Sequence, residues 1–440
     1  MSFSLQLNVR RWIGGNFMHI GIRIRKLREA VGLSQKEAST GIISASHYSN
    51  IESGRFEPSK DVLELLADRF NVPAPYLYKH HTHDSELQSV LMKYEHLLRE
   101  NMEDLPRFKA KHAAKFTYIP SLSQEAIYNL LQYAELVKAG QITEAQKHYS
   151  TEIAHIPRNS IKTLGTPLNG ISTYILGLYD YFNKQYLQSI EQFKDALEMI
   201  KDDYTRAKIY YNISLALYHL YDYAEALQYA YKAQHGYLEL HDWTATGDCY
   251  NLIAALYLEQ QKYAEAFPHI KKGLSVLGGQ INETTARLYH NLAIVQWHEK
   301  NYYDALKTIN QSIEMKQRLN SSNLFVSYKM KLTILNSMED FMAVGEIIRL
   351  IRRMPLSERE CMQLNYFEAK MFHAVHEFQR YEQSMLLCIR YFYSHEEWKE
   401  LKDASRHMAL YYANRKRYKL AHECQTLCIV AYERLTRERR

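Results

Sequence analysis

DYAEALQYAYKA, residues 222–233, decides the fold because the chain repeats it. QYLQSIEQFKDAL (185–197), KYAEAFPHIKKG (262–273) and NYYDALKTINQS (301–312) follow the same pattern: an aromatic, a small residue three positions later, then an apolar one. Weaker copies are QITEAQ (141–146), DFMAVGEII (340–348), RYEQSMLLC (380–388) and RYKLAHECQ (417–425). The anchors are Ile142, Tyr186, Tyr223, Tyr263, Tyr302, Phe341, Tyr381 and Tyr418, spaced 44, 37, 40, 39, 39, 40 and 37 residues apart. Paired amphipathic helices at such a period mean a solenoid, in which each unit buries its apolar face against its neighbours. The small residues Ser189, Ala226, Ala266 and Ala305 let the second helix of each pair approach the first.

The unit is similar to tetratricopeptide repeats, with ILGLYDYFNKQYLQSIEQFKDAL (175–197) the best copy and the usual period stretched. The likeness runs over about residues 120–435 in roughly eight repeats. The expected fold of the chain is all-α, and over these residues a right-handed tetratricopeptide-like solenoid.

Composition agrees with a helical, soluble chain. Among 440 residues there are only 16 Gly and 9 Pro, with 36 Tyr available as amphipathic packing between layers. The five cysteines (Cys249, Cys361, Cys388, Cys424 and Cys428) are dispersed and form no CxxC, which suits a reduced cytoplasmic compartment. No apolar run reaches the length of a membrane span, and MSFSLQLNVRRWIGGNF lacks the apolar core of a signal peptide. A second methionine, Met18, precedes the first clean helix, so residues 1–17 are expected to be a loose or non-native extension.

Residues 18–78 parse as short helices with their own punctuation. Ile24 and Leu27 share a face of the first helix, which Gly32 ends. Ser34 and Glu37 form a capping box for the second, Gly41 permits a sharp turn, and Gly54 closes a third helix over about Ser44–Ser53. Ser59 caps a fourth. The residues LSQKE, YSNIESG and PS at these distances resemble the lambda-repressor/Cro-like (XRE) helix-turn-helix family over roughly residues 21–78. Segment 18–58 carries six Lys or Arg against four acids, a mild anion preference.

That resemblance implies double-stranded DNA as a partner. It places Gln35 against phosphate, and Ser44, Ala45, Ser46, His47, Asn50 and Arg55 at the DNA. Asn50 suits adenine, and the Ala45 methyl suits thymine. It makes Ala38, Ile43, Tyr48 and Ile51 core, and Arg28 with Glu52 an ion pair locking the first helix to the third. A reading helix this thin in charge needs a homodimer.

A helix-turn-helix followed by a degenerate solenoid resembles the RRNPP group of peptide-responsive regulators, of the PlcR and NprR kind. The helices YYNISLALYHL, CYNLIAALYLEQ and LYHNLAIVQWHEK each hold an asparagine at nearly the same point: Asn212, Asn251 and Asn291. In PlcR-like members, asparagines on such helices hold the backbone of a short signalling peptide. An interhelix hydrogen bond is the competing reading of these amides. Lys208, Tyr211, Tyr250, Arg287, His290, Trp297 and His298 lie near them as further peptide contacts. Past Asn320 the repeat phase loosens, which suggests dimerisation or capping.

The resemblance implies a cytoplasmic, homodimeric quorum-sensing transcription factor with no enzymatic activity, cofactor or membrane attachment. Two alternatives stay open: a Rap-like regulator acting on a response regulator, and a ligand-independent dimeric repressor. The domain reading is 1–17 extension, 18–78 helix-turn-helix, 79–119 linker and first helices, and 120–440 repeats for peptide binding and dimerisation. KHHTHD (79–84) has chelating side chains but reads as a solvated linker, so no metal is expected. No zinc spacing, phosphate loop or nucleophile elbow occurs.

Overall fold

The computed structural model describes residues 18–162 and 168–437; the expected extension over 1–17 lies outside the described residues. All regular structure among them is helical, and the chain divides into two compact units, Met1–Lys201 and Asp202–Arg440.

The first unit opens with α1 (Ile20–Val31), α2 (Gln35–Ser39), α3 (Ala45–Glu52), α4 (Lys60–Phe70) and α5 (Ala74–Tyr78). Both halves of the capping box form: Ser34 Oγ accepts from the Glu37 amide at 3.2 Å, and the Ser34 amide donates to Glu37 Oε2 at 2.8 Å. Ser44 caps α3 and Ser59 caps α4. Ile20, Ile24, Ala38, Tyr48, Ile51, Leu66 and Leu77 form the core, with Ile43 packed at its edge. Each fully buried aliphatic side chain here contributes about 1.5–3 kcal/mol. Gly21 makes the crossing of α1 over α3 possible, since a Cβ there would stand 2.0 Å from the Ile51 carbonyl oxygen.

Among the described residues eight α-helices complete this unit, with a 3-10 turn at Met102–Asp104 and a π turn at Tyr149–Ile153: α6 (Ser85–Glu100), α7 (Leu105–Lys111), α8 (Ala113–Thr117), α9 (Leu122–Lys138), α10 (Ile142–His148), α11 (Arg158–Lys162), α12 (Asn169–Phe182) and α13 (Tyr186–Met199). Arg23 of α1 is 2% exposed and joins the helix-turn-helix to α9. Its guanidinium donates to Glu125 Oε2 (2.7 and 3.1 Å), to the carbonyls of Pro120 (2.7 Å) and Ile119 (3.0 Å), and to that of Tyr76.

The second unit is six helix pairs: α14 (Asp203–His219) with α15 (Tyr223–Glu239), α16 (Trp243–Glu259) with α17 (Tyr263–Leu277), and α18 (Glu283–His298) with α19 (Tyr302–Arg318). The remaining three are α20 (Leu324–Ser337) with α21 (Phe341–Ile351), α22 (Glu358–Ala374) with α23 (Phe378–Ser394), and α24 (Trp398–Asn414) with α25 (Tyr418–Arg437). Ala226, Ala266 and Ala305 are fully buried, as the close approach of paired helices requires. Buried serines reinforce the contacts, with Ser214 Oγ donating to the Ala226 carbonyl at 2.8 Å and Ser312 Oγ to the Ala286 carbonyl at 2.7 Å.

The turn within every pair of the chain holds one left-handed residue, two positions ahead of the second helix. These are Gly140, Lys184, Tyr221, Gln261, Lys300, Glu339, His376 and Lys416, with φ of 58–75°. This turn corrects one anchor. The helix of the seventh copy begins at Phe378, two residues after His376, so Phe378 and not Tyr381 occupies the anchor position. Tyr381 lies one turn further in and is core.

Candidate functional site: the reading helix and the repeat channel

On α3 one face is buried and the other open. Tyr48, Ile51 and Glu52 point inward, while Ser44, Ala45, Ser46 and Asn50 are exposed, as is Arg55 just beyond. His47 is half-buried and packs edge-on against Phe56, ring centroids 4.2 Å apart. The Ser44 hydroxyl accepts from the His47 amide at 3.2 Å and lies 3.1 Å from Ser46 Oγ, so it caps the helix it would also present to a ligand.

Beneath this face lies an ionic lock. Arg28 Nε donates to Glu52 Oε1 at 2.6 Å and Nη2 to Oε2 at 3.2 Å. The hydrogen bond with Glu52 raises the Arg28 pKa further above the ordinary arginine value, and burial together with Glu52 pushes the Tyr48 phenol up. Gln35 adds to the lock: its Nε2 donates to Glu52 Oε2 at 2.7 Å, which uses one of its two amide N–H groups. A buried carboxylate needs its acceptor positions filled, and Gln35 supplies that donor.

The run at 79–84 also differs from its sequence reading as a solvated linker. His80 is 6% exposed, wedged beneath the turn after α3, and both it and His81 meet Glu57 from 23 and 24 residues upstream.

In the second unit the asparagines turn toward each other. Asn291 Nδ2 donates to Asn251 Oδ1 at 3.0 Å, and Asn251 is 9% exposed. This interhelix bond uses one donor of Asn291 and the acceptor of Asn251, while Asn212 on α14 is half-buried. Tyr250 is buried, Lys208 and Tyr211 are half-buried, and Arg287 is exposed. His298 is exposed and stacks on Tyr263 with centroids 3.7 Å apart. Trp297 Nε1 donates to Ser337 Oγ at 2.8 Å.

Of the residues the sequence put forward for a peptide, His290 and Trp297 line the cavities of this unit. A cavity of about 710 Å³ is walled by α18, α20, α22 and α24, with Lys329, Gln363, Tyr366, Phe367, Trp398 and Asp403 among its residues. A second, of about 610 Å³, shares Tyr221, Glu259, Ile294, Lys399 and Leu435 with it. A third, of about 440 Å³, meets the first at Thr333 and the second at Trp297. The three cavities adjoin at these residues and are here called the channel; most of their lining lies beyond Asn320, where the sequence suggested dimerisation or capping.

The channel wall carries both charges. Lys329 Nζ stands 3.9 Å from Glu400 Oε1, which also accepts from Gln363 Nε2 at 2.7 Å. Burial lowers the pKa of Lys329 and of Lys370, opposed by Glu400 and Asp403 respectively. Burial, with Lys316 and Lys329 nearby, pushes His290 down to about 3, so its ring is neutral at physiological pH. A usable signal for this wall did exist in the sequence. Lys329, Tyr366 and Asp403 are spaced 37 and 37 residues apart, as are Thr333, Lys370 and His407. The period is kept while the residue type changes, so a search for a recurring residue type passes over them.

Comparisons with known proteins agree with this architecture. A helix-turn-helix family model matches residues 24–77, and a tetratricopeptide-repeat model matches residues 206–237. The transcriptional activator NprA of Geobacillus stearothermophilus is 22% identical over 407 residues, covering 87% of this chain and 95% of that protein. Among solved structures, the apo form of the quorum sensor NprR from B. thuringiensis superposes with a TM-score of 0.66 at 16% identity, over 79% of this chain and 99% of that one. NprR in complex with its cognate peptide NprX gives 0.54 at 15% identity, over 76% and 99%. The apo form of RapI gives 0.63 at 16% identity, over 80% and 99%. At such identities the structural likeness speaks for the fold. An XRE-type helix-turn-helix joined to tetratricopeptide repeats, with these relatives, fits an RRNPP-type regulator.

Proposed function

We propose that this chain is a homodimeric transcriptional regulator that reads an operator with α3, and whose repeat channel takes a short signalling peptide that alters DNA binding. The observation that carries the reading is the pairing of an outward, cap-fixed helix with a channel of peptide character. The channel wall offers aromatic faces, ammonium groups and carboxylates along α20, α22 and α24. That mixture suits an extended peptide, which presents backbone amides, side chains and a terminal carboxylate together. NprR, whose fold this chain shares, is described with a cognate peptide, and NprA is described as an activator.

On α3, Asn50 and His47 are the base-reading candidates. Asn50 is exposed, and its amide is one that pairs with adenine in the major groove. Two such helices in a dimer address half-sites about one helical turn, ~34–36 Å, or a multiple apart.

Fluorescence anisotropy on the promoter of the protein's own gene, with and without the peptide encoded by a neighbouring small reading frame, tests the proposal. Asn50→Ala is expected to weaken operator discrimination by about 1–3 kcal/mol. Lys329→Ala is expected to weaken peptide binding and leave peptide-free DNA binding intact. Absence of DNA binding in both states sinks the regulator reading. Peptide affinity that Lys329→Ala leaves unchanged removes the channel from it. Peptide heat without any change in DNA binding would point to action on a protein partner.

A further inference from the structure

Glu57, His80 and His81 bring three ligand atoms within 4.8 Å of one another. Glu57 Oε1 is 2.8 Å from His80 Nε2 and 3.2 Å from His81 Nε2, and the two imidazoles lie with centroids 4.0 Å apart. The other nitrogen of His80 sets the chemistry. His80 Nδ1 is 2.7 Å from the Leu77 carbonyl oxygen, which can only accept, so Nδ1 holds the ring proton. In the neutral ring Nε2 is then a bare lone pair, and it faces a carboxylate oxygen, which is also an acceptor. Two acceptors at hydrogen-bond distance need a cation between them. A second ring proton or a metal ion could be that cation, and His81 Nε2 brings a third ligand atom to the same carboxylate oxygen.

We propose that Glu57, His80 and His81 form a site for one divalent transition-metal ion of the zinc class. The anchored tautomer, with Nδ1–H on a backbone carbonyl and Nε2 free, is the arrangement of metal-ligating histidines. Metal–ligand bonds of about 2.0–2.2 Å in a tetrahedron place neighbouring ligands about 3.3 Å apart. The two measured separations from Glu57, 2.8 and 3.2 Å, need only a small opening to reach that value. Two imidazoles and one carboxylate favour Zn²⁺, Co²⁺ or Ni²⁺ over the all-oxygen preference of Mg²⁺ and Ca²⁺. Glu57 and His81 side chains are 58% and 72% exposed, which leaves the remaining position to water. The ion would tie the turn after α3 to the end of α5. Phe56 in that turn is the ring that His47 packs against, so the ion would also steady the edge of α3.

The test uses the full-length protein without an affinity tag, stripped of metal and titrated with Co²⁺ and then Zn²⁺. The expected result is one equivalent of Co²⁺ taken up at micromolar concentration, with a visible ligand-field band that Zn²⁺ abolishes, and a higher Tm in the loaded protein. Glu57→Gln and His81→Ala replace exposed side chains, so both variants should fold. Each is expected to weaken uptake by at least about tenfold and to remove the Tm increase. Equal uptake by wild type and both variants would assign the ion to other histidines and overturn the proposal. Failure of the wild type to take up either ion overturns it too. Acid alone reproducing the Tm increase, without metal uptake, would make the cluster an imidazolium–carboxylate pair and also overturn it.

Discussion

Within residues 18–78 every left-handed backbone position is held by Gly32, Gly41, Gly54 or Asn71. In the repeats the equivalent positions hold Lys184, Tyr221, Gln261, Lys300, Glu339, His376 and Lys416, with a glycine at Gly140. Only glycine, and to a lesser degree asparagine, adopts this conformation cheaply. The helix-turn-helix therefore writes its turns into local sequence. In the repeats, the helices packed on either side impose the turn on whatever residue stands there. The first region is specified by individual residues and the second by a period, and the two should differ in what one substitution does.

The largest contrast is expected between two arginines. Arg23→Ala leaves Glu125 without its buried partner and orphans three carbonyls, and about 3–5 kcal/mol of first-unit stability should be lost. Arg359 also pairs with a carboxylate, Glu397 at 2.5 Å, but its side chain is 57% exposed. Arg359→Ala should cost about 0–1 kcal/mol. Urea unfolding of both variants checks this, and equal losses would break the distinction.

Next come two glycines at helix crossings. At Gly21 an added Cβ meets a backbone oxygen at 2.0 Å, whereas at Gly247 it meets the Leu277 side chain at 2.7 Å. Backbone cannot step aside without moving α3, while a leucine can change rotamer. Gly21→Ala should cost about 3 kcal/mol and Gly247→Ala about 1 kcal/mol by thermal unfolding.

The same difference explains what could be read in advance. Ser34 with Glu37, Gly41, Ser44 and Gly54 are neighbours in sequence, so the helix-turn-helix and its outward face were legible. The period of the repeats was legible as well, because Tyr186, Tyr223, Tyr263 and Tyr302 keep their type. Tyr381 misled because His376 carries no turn signal and a second aromatic, Phe378, stands three residues away. The part Gln35 takes in the lock was not legible because its partner is 17 residues distant. The channel and the Glu57–His80–His81 cluster were missed because each is assembled across sequence separations over which no residue type recurs, the channel wall keeping only the 37-residue period.

Lys316 is an exception inside the periodic region, a single residue with its own cost. It is 2% exposed on α19, donating to Ser327 Oγ at 2.9 Å and the Asn323 carbonyl at 3.2 Å. Burial pushes it down to about 8 from the ordinary 10.5. Below the folded value both states hold the proton, and the native state bears the full penalty of a buried charge. Between pH 8 and 10.5 the unfolded chain binds more protons than the native one, so stability rises with pH across that window. Relative to Lys316→Met, which removes the titration, the wild type should gain on the order of 2 kcal/mol between those limits. A gap that stays constant with pH would leave Lys316 as neutral filler.

The smallest effect tests the turns themselves. Gln261 sits at φ 60° between α16 and α17, where its amide joins the turn by donating to the Leu258 carbonyl at 2.9 Å. Glycine at this position relieves a left-handed strain of roughly 1–2 kcal/mol. It also adds unfolded-chain entropy that returns about 0.5–1 kcal/mol of that gain. Gln261→Gly should therefore stabilise the second unit by about 0.5 kcal/mol, visible as a small rise in urea midpoint with unchanged slope. The reverse change at Gly41, also left-handed at φ 78° with open space around its Cβ position, should destabilise by about 1 kcal/mol as Gly41→Ala. If both substitutions destabilise, the side chain of Gln261 makes a contribution that outweighs its backbone strain, and the repeat turns are specified residue by residue after all.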